Sequence, residues 1–395
     1  MRKKNIKDIK DLRGKKVFLR VDFNVSLNNG DVANDTRIVE ALPTIKYLLS
    51  KGAKLVIASH LGRPKGKVDP KYSMLPVVMR TEKHLGKKIH FIPQYWKEEA
   101  LGKIQLALGD GDIVMIDNLR YQPGEEKNDK KFAKHLASMA DIFVNDAFAA
   151  THRAHASIVG IPEYLPAYAG FLLEKEIDVI SKVLEKPARP MVAIIGGAKT
   201  PEKIAVINKL LEVGDTVLLG GAIANTFLAA WGYGMGRSIV DHEMIEMARV
   251  IFWKTTREHF ALILPEDVII SDEMRLKEPK IVRHDQVAND AVIYDIGPAT
   301  CKYYKQIMST AKTILWNGPM GLFEDKRFAG GTECILEALS QQKKATTIIG
   351  GGDTLATIKN KKLLKNITHV STGGGAMLEF LENGTLPGIE VLKDA

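Results

Sequence analysis

Residues 191–203 read Met191-Val-Ala-Ile-Ile-Gly-Gly-Ala-Lys-Thr-Pro-Glu-Lys203. Five apolar residues form a buried-strand run, two glycines end it, and Thr200-Pro201 opens a helix with proline in its favoured first-turn place. The same strand–turn–helix order recurs on both sides. Val17-Phe-Leu-Arg-Val, Leu55-Val-Ile-Ala-Ser, Ile113-Val-Met-Ile and Ile142-Phe-Val come before it. Thr216-Val-Leu-Leu, Thr313-Ile-Leu-Trp and Thr346-Thr-Ile-Ile come after. Amphipathic stretches lie between them. Ile38, Leu42, Ile45, Leu48 and Leu49 share one helical stripe, with Asp35 or Thr36 as N-cap and Gly52 as the stop. Strands separated by helices imply mainly parallel sheets covered on both faces. The predicted class is α/β, doubly wound, twice over.

The chain has 395 residues, enough for two domains at ~100–200 residues each. A long periodic stretch from Gly170 to Lys186, closed by Pro187 and Pro190, predicts a helix between two sheet units, with hinge positions at its ends. The expected division is a domain over 1–170, a connecting helix over 171–187, and a second domain over 188–379.

Composition narrows the function classes. Hydrophobic residues make up 45% and charged residues 26%, which is globular and excludes wholesale disorder. No apolar run reaches the ~20 residues of a bilayer span, and the basic start Met1–Asp8 leads into no apolar leader core. Two cysteines, Cys301 and Cys334, make neither a disulfide framework nor a CxxC site. A reduced cytoplasm and no membrane partner are the expectation. Charge is split unevenly: residues 1–170 carry 29 Lys+Arg against 19 Asp+Glu, and residues 171–395 carry 27 against 28. The excess positive charge lies entirely in the first half, where it suits a small acidic substrate, an anionic surface or nucleic acid.

Ligands of open parallel sheets bind beyond the strands' carboxyl ends, and those ends differ between the halves. The first half offers Arg20-Val-Asp22-Phe-Asn24, Ser59-His60-Leu-Gly-Arg63, Asp117-Asn-Leu-Arg120 and Asn145-Asp146, with His152-Arg153-Ala-His155 soon after and Arg37 at a helix start. Clustered arginines grip phosphate or carboxylate oxygens in bidentate pairs. A nucleic-acid binder would place its arginines along an exposed face with interleaved aromatics, which is not the pattern here. The second half offers Gly196-Gly197, Gly220-Gly221, Asn317-Gly318-Pro-Met-Gly321, Gly350-Gly-Gly-Asp353-Thr354 and Thr372-Gly-Gly-Gly375. Glycine turns let backbone N–H groups approach an anion, and five of them point to a nucleotide. GxxxxGK[ST] and GxGxxG are both absent from the sequence, which argues against a Walker-A NTPase and a dinucleotide dehydrogenase. Asp353 suits a phosphate-bound Mg²⁺. Lys199 and Lys203 suit charge on a transferring phosphoryl group.

Arg20-Val-Asp-Phe-Asn-Val, Ser59-His-Leu-Gly-Arg-Pro-Lys-Gly, Gly196-Gly-Ala-Lys, Trp316-Asn-Gly-Pro-Met-Gly, Gly350-Gly-Gly-Asp-Thr and Ser371-Thr-Gly-Gly-Gly-Ala, in this order, closely resemble the phosphoglycerate kinase family. The resemblance covers the whole chain. It implies two Rossmann-like domains, with about residues 380–395 returning to the first, in a monomeric cytoplasmic enzyme of glycolysis that binds no nucleic acid. It implies reversible phosphoryl transfer from 1,3-bisphosphoglycerate to Mg·ADP, giving 3-phosphoglycerate and ATP. Carried over by position, Asp22, Phe23, Asn24, Arg37, His60, Leu61, Gly62, Arg63, Arg120 and Arg153 hold the glycerate substrate. Lys203, Gly220, Gly221, Asn317, Glu324, Gly351, Gly352, Asp353 and Thr354 bind nucleotide, with Asp353 meeting the metal. Arg37, Lys199, Gly373 and Gly374 stabilise the transferring group. Ser26, Ala149, Pro201 and Ala299 depart from the family pattern, which has Pro, Gly, a non-proline residue and Lys in those places.

No well-placed general base is evident, and none is needed when the attacking or leaving group is a carboxylate, ionised far above a pKa of ~4. Positioning and electrostatics then set the rate. Lys199→Ala is expected to lower kcat by about 10²–10³ while changing either KM far less. Steady-state kinetics with both substrates measure this, and an unaltered kcat removes Lys199 from the transition state.

Overall fold

A computed structural model describes residues 2–109, 111–198, 200–255, 261–358 and 361–395. The chain divides into two compact units. The first runs to Asp178 and regains Thr385–Ala395, and the second is Val179–Gly384.

The first unit is built on a six-stranded sheet in the order His90–Ile92, Ile113–Ile116, Lys54–Ala58, Lys16–Val21, Ile142–Asp146, Ala167–Ala169. Every pairing in it is parallel. The inner four strands are the predicted apolar runs. The outer two have three residues each, too short to declare a period. Val17, Phe18, Leu19 and Val21 are all fully buried, as expected of a strand covered on both faces.

Helix Thr36–Ser50 turns Ile38, Ala41, Ile45 and Leu48 into this core. Its entry differs from the sequence reading. Asp35 occupies the N-cap position but caps nothing, because its carboxylate is taken by Arg80 at 3.3 Å and His84 at 2.9 Å. Asn34 Oδ1 accepts the Thr36 N–H instead, at 3.0 Å.

Helix Phe171–Glu185 leads out of the first unit into the second. Its first free N–H groups are satisfied by helix Thr36–Ser50 and by the sheet. Phe171 N–H donates to Thr44 Oγ1 at 2.9 Å, and Leu172 and Leu173 donate to Asp146 Oδ1 at 2.9 and 3.2 Å. A carboxylate facing the positive end of a helix is a favourable placement. Residues 385–395 are held to the first unit by backbone contacts. Lys4 N–H donates to the Lys393 carbonyl at 2.8 Å, and Gly388 N–H to that of Thr151 at 2.9 Å.

The second unit holds a six-stranded sheet ordered Ala261–Ile263, Thr216–Leu219, Met191–Ile195, Thr313–Asn317, Thr346–Gly350, His369–Val370. It too is parallel throughout. Buried Trp316 sits in its core, and the buried Tyr304 hydroxyl donates to the Leu219 carbonyl at 2.7 Å. A three-stranded antiparallel sheet of Lys280–Arg283, Asp267–Asp272 and Ala291–Ile296 is added beside it. The sequence reading did not foresee this sheet. Its small core is Val268, Ile270 and Ala291, and Ile281 on its edge is 60% exposed. The edge strand Lys280–Arg283 has only two apolar residues in a row, and the sequence reading did not use the run Ala291-Val-Ile-Tyr294. No helix among the described residues is long and apolar enough to cross a membrane.

Candidate functional site

Parallel register places the loaded turns of each unit at one edge of its sheet. In the first unit three neighbouring turns are tied together. Phe23 N–H donates to Ser59 Oγ at 2.8 Å, and Gly62 N–H to Asn24 Oδ1 at 2.9 Å. Asn118 Nδ2 donates to the carbonyls of Leu61 at 2.6 Å and Tyr72 at 2.9 Å. Arg120 Nη1 donates to the Gly62 carbonyl at 2.9 Å. Gly62 has φ +60°, and a Cβ there would lie 2.4 Å from the Tyr72 ring, so a side chain would be strained and would have to displace that ring. Asp22, His60 and Arg120 are buried. Arg37, in the first turn of its helix, forms an ion pair with Asp22. Arg153 Nε donates to His152 Nε2 at 3.0 Å, and Arg63 is exposed. The structure thus brings Asp22, Phe23, Asn24, Arg37, His60, Leu61, Gly62 and Arg120 to one rim.

The charge state of this rim follows from burial and its arginines. Burial first, then Arg20, Arg120 and Arg37, holds His60 well below its ordinary range. Burial and then Arg120, Arg20 and Arg153 push His155 down to about 3. His152 is lowered by burial and Arg153. Burial draws Arg120 down to about 10, which leaves it charged at neutral pH. The rim therefore offers cationic guanidinium groups among neutral imidazoles. Two participants were given no site role from the sequence: Arg20, read at a strand end but buried inside the strand, and Glu125, fully buried. The available signal for Arg20 was a lone charge in the apolar run Val17–Val21.

In the second unit the glycines sort into two kinds. A Cβ on Gly196 would lie 2.1 Å from the Pro319 carbonyl oxygen, and one on Gly318 2.2 Å from that of Gly196. On Gly221 it would meet Gly197 N at 2.6 Å, and on Gly374 the Gly351 Cα at 2.6 Å. These positions are glycine because backbone packs on backbone. Gly352 and Gly375 face open space, with nothing among the described residues within 4 Å of a Cβ. Packing does not demand glycine there, and the bare backbone is free to meet a ligand.

Around these turns lies a cleft of about 350 Å³ lined by Gly197, Gly221, Asn225, Tyr294, Pro319, Phe323, Glu324 and Asp353 among others. Lys203 is buried and donates to the Gly196 carbonyl. Asn317 is buried and its Nδ2 has no hydrogen-bond partner among the described residues. The Thr354 hydroxyl is occupied within the turn, accepting from Gly318 N–H at 2.7 Å and donating to the Gly350 carbonyl at 2.9 Å. Glu324 and Asp353 are exposed at the cleft. Gly220 ends the strand before the cleft, and Gly373 precedes helix Gly374–Asn383. Lys199 lies outside the described residues. Of the four departures, Ser26, Pro201 and Ala299 are exposed and Ala149 is half-buried. Pro201 stands in the first turn of helix Thr200–Val213, where its missing N–H is not needed.

A model described as phosphoglycerate kinase matches residues 6–384. The chain belongs to the phosphoglycerate kinase family. It is 46% identical over 395 residues to the phosphoglycerate kinase of Pelotomaculum thermopropionicum, covering 100% of each. It is 46% identical over 398 residues to that of Fervidobacterium nodosum, covering 100% of this chain and 99% of the relative. The solved phosphoglycerate kinase structure from Coxiella burnetii superposes with a TM-score of 0.88 at 39% identity, covering 98% of each chain. That from Pyrococcus horikoshii gives 0.84 at 32%, with the same coverage. As a phosphoglycerate kinase the chain is a transferase, of the family that moves a phosphoryl group between 1,3-bisphosphoglycerate and ADP in glycolysis.

The buried titratable groups of this phosphoglycerate kinase act on stability with opposite signs. Folded histidines with lowered pKa bind fewer protons than unfolded ones, which titrate near about 6.5. Their contribution is complete above that pH and is lost as pH falls, for His155 toward about 3. Asp146 and Asp295, raised to about 7 by burial, contribute fully below about pH 4 and lose that contribution as pH rises through 7. A variant separates the two trends. In His155→Gln, urea-derived stability should fall less between about pH 6.5 and about pH 4.5 than in the parent, by on the order of 1 kcal/mol per pH unit. Equal falls in both would place the folded His155 at its ordinary pKa.

Proposed function

We propose that the first unit takes 3-phosphoglycerate or 1,3-bisphosphoglycerate at its arginine rim, and the second takes ADP or ATP as its magnesium complex at the glycine turns. The reaction then runs reversibly without a general base. The observation that carries this reading is the contrast between the two rims: cationic guanidinium groups with neutral histidines on one, backbone turns around a cleft on the other.

Arg63 and Arg153 grip the non-reacting phosphate, Asn24 and the Leu61–Gly62 turn shape the glycerate pocket, and Asp22 orients Arg37. Arg37, Lys199 and the Gly373–Gly374 turn stabilise charge on the phosphoryl group in transit. Histidines with lowered pKa are poor bases, and a carboxylate acceptor gives them no proton to take. Lys203, Asn317, Gly220, Gly221 and the Gly351–Thr354 turn bind the nucleotide's phosphates, and Glu324 meets the ribose. Mg²⁺ with a nucleotide commonly uses one or two carboxylates plus phosphate oxygens and water. The exposed Asp353 beside an open glycine turn fits that need, and no group of three His, Cys, Asp or Glu among the described residues forms a separate cage. Mg²⁺ would neutralise charge on the phosphate oxygens.

In a coupled assay with Mg·ATP, Arg63→Ala should raise KM for 3-phosphoglycerate tenfold or more, since hydrogen bonds to charged groups are worth about 1.5–3 kcal/mol. KM for the nucleotide should stay as it is. A loss of nucleotide affinity instead would mean that the ligands are assigned to the wrong units.

Neither set of groups is sufficient alone, so transfer requires the two units to be brought together about the ends of the connecting helix and nearby loops. Only a ligand pair touching both favours the closed state strongly. Small-angle scattering of the free protein, each binary complex and a ternary complex with an unreactive nucleotide analogue should show the smallest radius of gyration in the ternary sample. The same radius in all four would sink the closure.

A further inference from the structure

Behind His60 runs a buried chain of polar groups in which every proton has only one possible direction. Arg20 is 1% exposed, Glu125 and Ser157 are fully buried, and His60 is 6% exposed. Arg20 Nε contacts Ser157 Oγ at 3.0 Å, and Ser157 Oγ contacts Glu125 Oε1 at 2.6 Å. Glu125 Oε2 also accepts the Ser157 backbone N–H at 3.0 Å. The other side of the Arg20 fork donates to the Val21 carbonyl through Nη1 and meets His60 Nδ1 at 3.2 Å through Nη2.

A guanidinium group has donors and no acceptor. Ser157 must therefore accept from Arg20 and give its own proton to Glu125. His60 Nδ1 must likewise accept, so the single ring proton sits on Nε2. The groups facing the ring are Arg20, Arg120, Arg37 and His155, with Asp22 paired to Arg37 and Glu125 held beyond Ser157. The surrounding cations disfavour a second proton on the ring.

We propose that Arg20, Ser157 and Glu125 are positioning residues that fix His60 as the neutral tautomer protonated on Nε2, making it a hydrogen-bond donor to the anionic oxygens of phosphoglycerate. This rests on the reading of His60 as a substrate-facing group. The other tautomer would turn a lone pair toward an anion, and proton exchange between the two would leave part of the population unable to donate. With the tautomer set beforehand, substrate binding moves no proton. Glu125 is fully buried, too deep to touch the substrate, and acts on His60 through Ser157 and Arg20, with His155 Nδ1 also 3.8 Å from its Oε1. It also supplies the negative charge that makes a buried arginine tolerable.

Nitrogen-15 NMR of the histidine rings in the full-length protein tests the proposal. His60 should show an unprotonated Nδ1 and a protonated Nε2 in the free enzyme from about pH 8 to about 5.5, where an ordinary imidazole becomes charged. Adding 3-phosphoglycerate should move the Nε2 signal. A protonated Nδ1, or a ring titrating near about 6.5, overturns the proposal. A protonated Nε2 that does not respond to 3-phosphoglycerate overturns the donor role through the substrate reading while leaving the relay intact. In Ser157→Ala, Arg20 Nε loses its acceptor and the guanidinium is no longer held against His60 Nδ1, so the Nδ1-protonated form should appear, and KM for 3-phosphoglycerate should rise about tenfold while that for ADP holds. Glu125→Gln keeps an acceptor for the Ser157 hydroxyl and should retain the Nε2 tautomer. Unchanged tautomer and KM in Ser157→Ala count against the relay. Should that variant not fold, the spectrum of the parent protein decides alone.

Discussion

Everything at the two rims depends on parallel strand pairing. A parallel strand cannot return through a tight hairpin, so each crosses back by a helix and all carboxyl ends reach the same edge. Arg20 pairs in register with Ala58 on one side and Asn145 on the other, so residues 22–24, 59–63 and 146–153 leave the sheet at one level. Asn317 sits level with Ile195 and Gly350, and three glycine turns leave the second sheet together. Distant segments of sequence become neighbours through backbone hydrogen bonds alone. Apolar strand interiors then carry stability, and the turns are left to carry chemistry.

The first rim shows how much surrounding structure a cationic site requires. Three arginines there have protein groups that fix them: Arg37 has Asp22, Arg120 has the Gly62 carbonyl and Glu126, and Arg20 has Ser157 and the Val21 carbonyl. Uncompensated positive charge at such density would favour the unfolded chain. The second rim works by subtraction, since several of its glycines allow turns to lie against one another where any side chain would collide.

What the sequence discloses follows from how local each signal is. The eight inner strands are legible because each carries a short apolar run closed by a polar or glycine turn, from two residues in Thr346–Gly350 to four and five in Ile113–Ile116 and Met191–Ile195. The edge strands His90–Ile92, Ala167–Ala169, Ala261–Ile263 and His369–Val370 have two or three residues each and are defined by a neighbour rather than by their own composition. The antiparallel sheet of the second unit is hidden for a related reason: its exposed edge mixes charged and apolar residues, as in Lys280–Arg283. Motif residues such as His60 and Asp353 stand out beside glycines and prolines, and Asp22 as a charge directly after an apolar strand. Glu125 does not. It lies in an acidic, lysine-rich stretch that reads as solvated surface, and only its contact with Ser157, 32 residues away, reveals a buried role.

The return of residues 385–395 to the first unit has a consequence for biosynthesis. The first unit is discontinuous: Val179–Gly384 must leave the ribosome before Thr385–Ala395 can dock beside Lys4, Thr151 and Asn145. Domains usually fold in the order of synthesis, at about 5–20 residues per second. Here the unit begun first is finished last. For the tens of seconds at that pace in which the rest is made, its nascent form exposes the surface that Ile389 and Leu392 later bury.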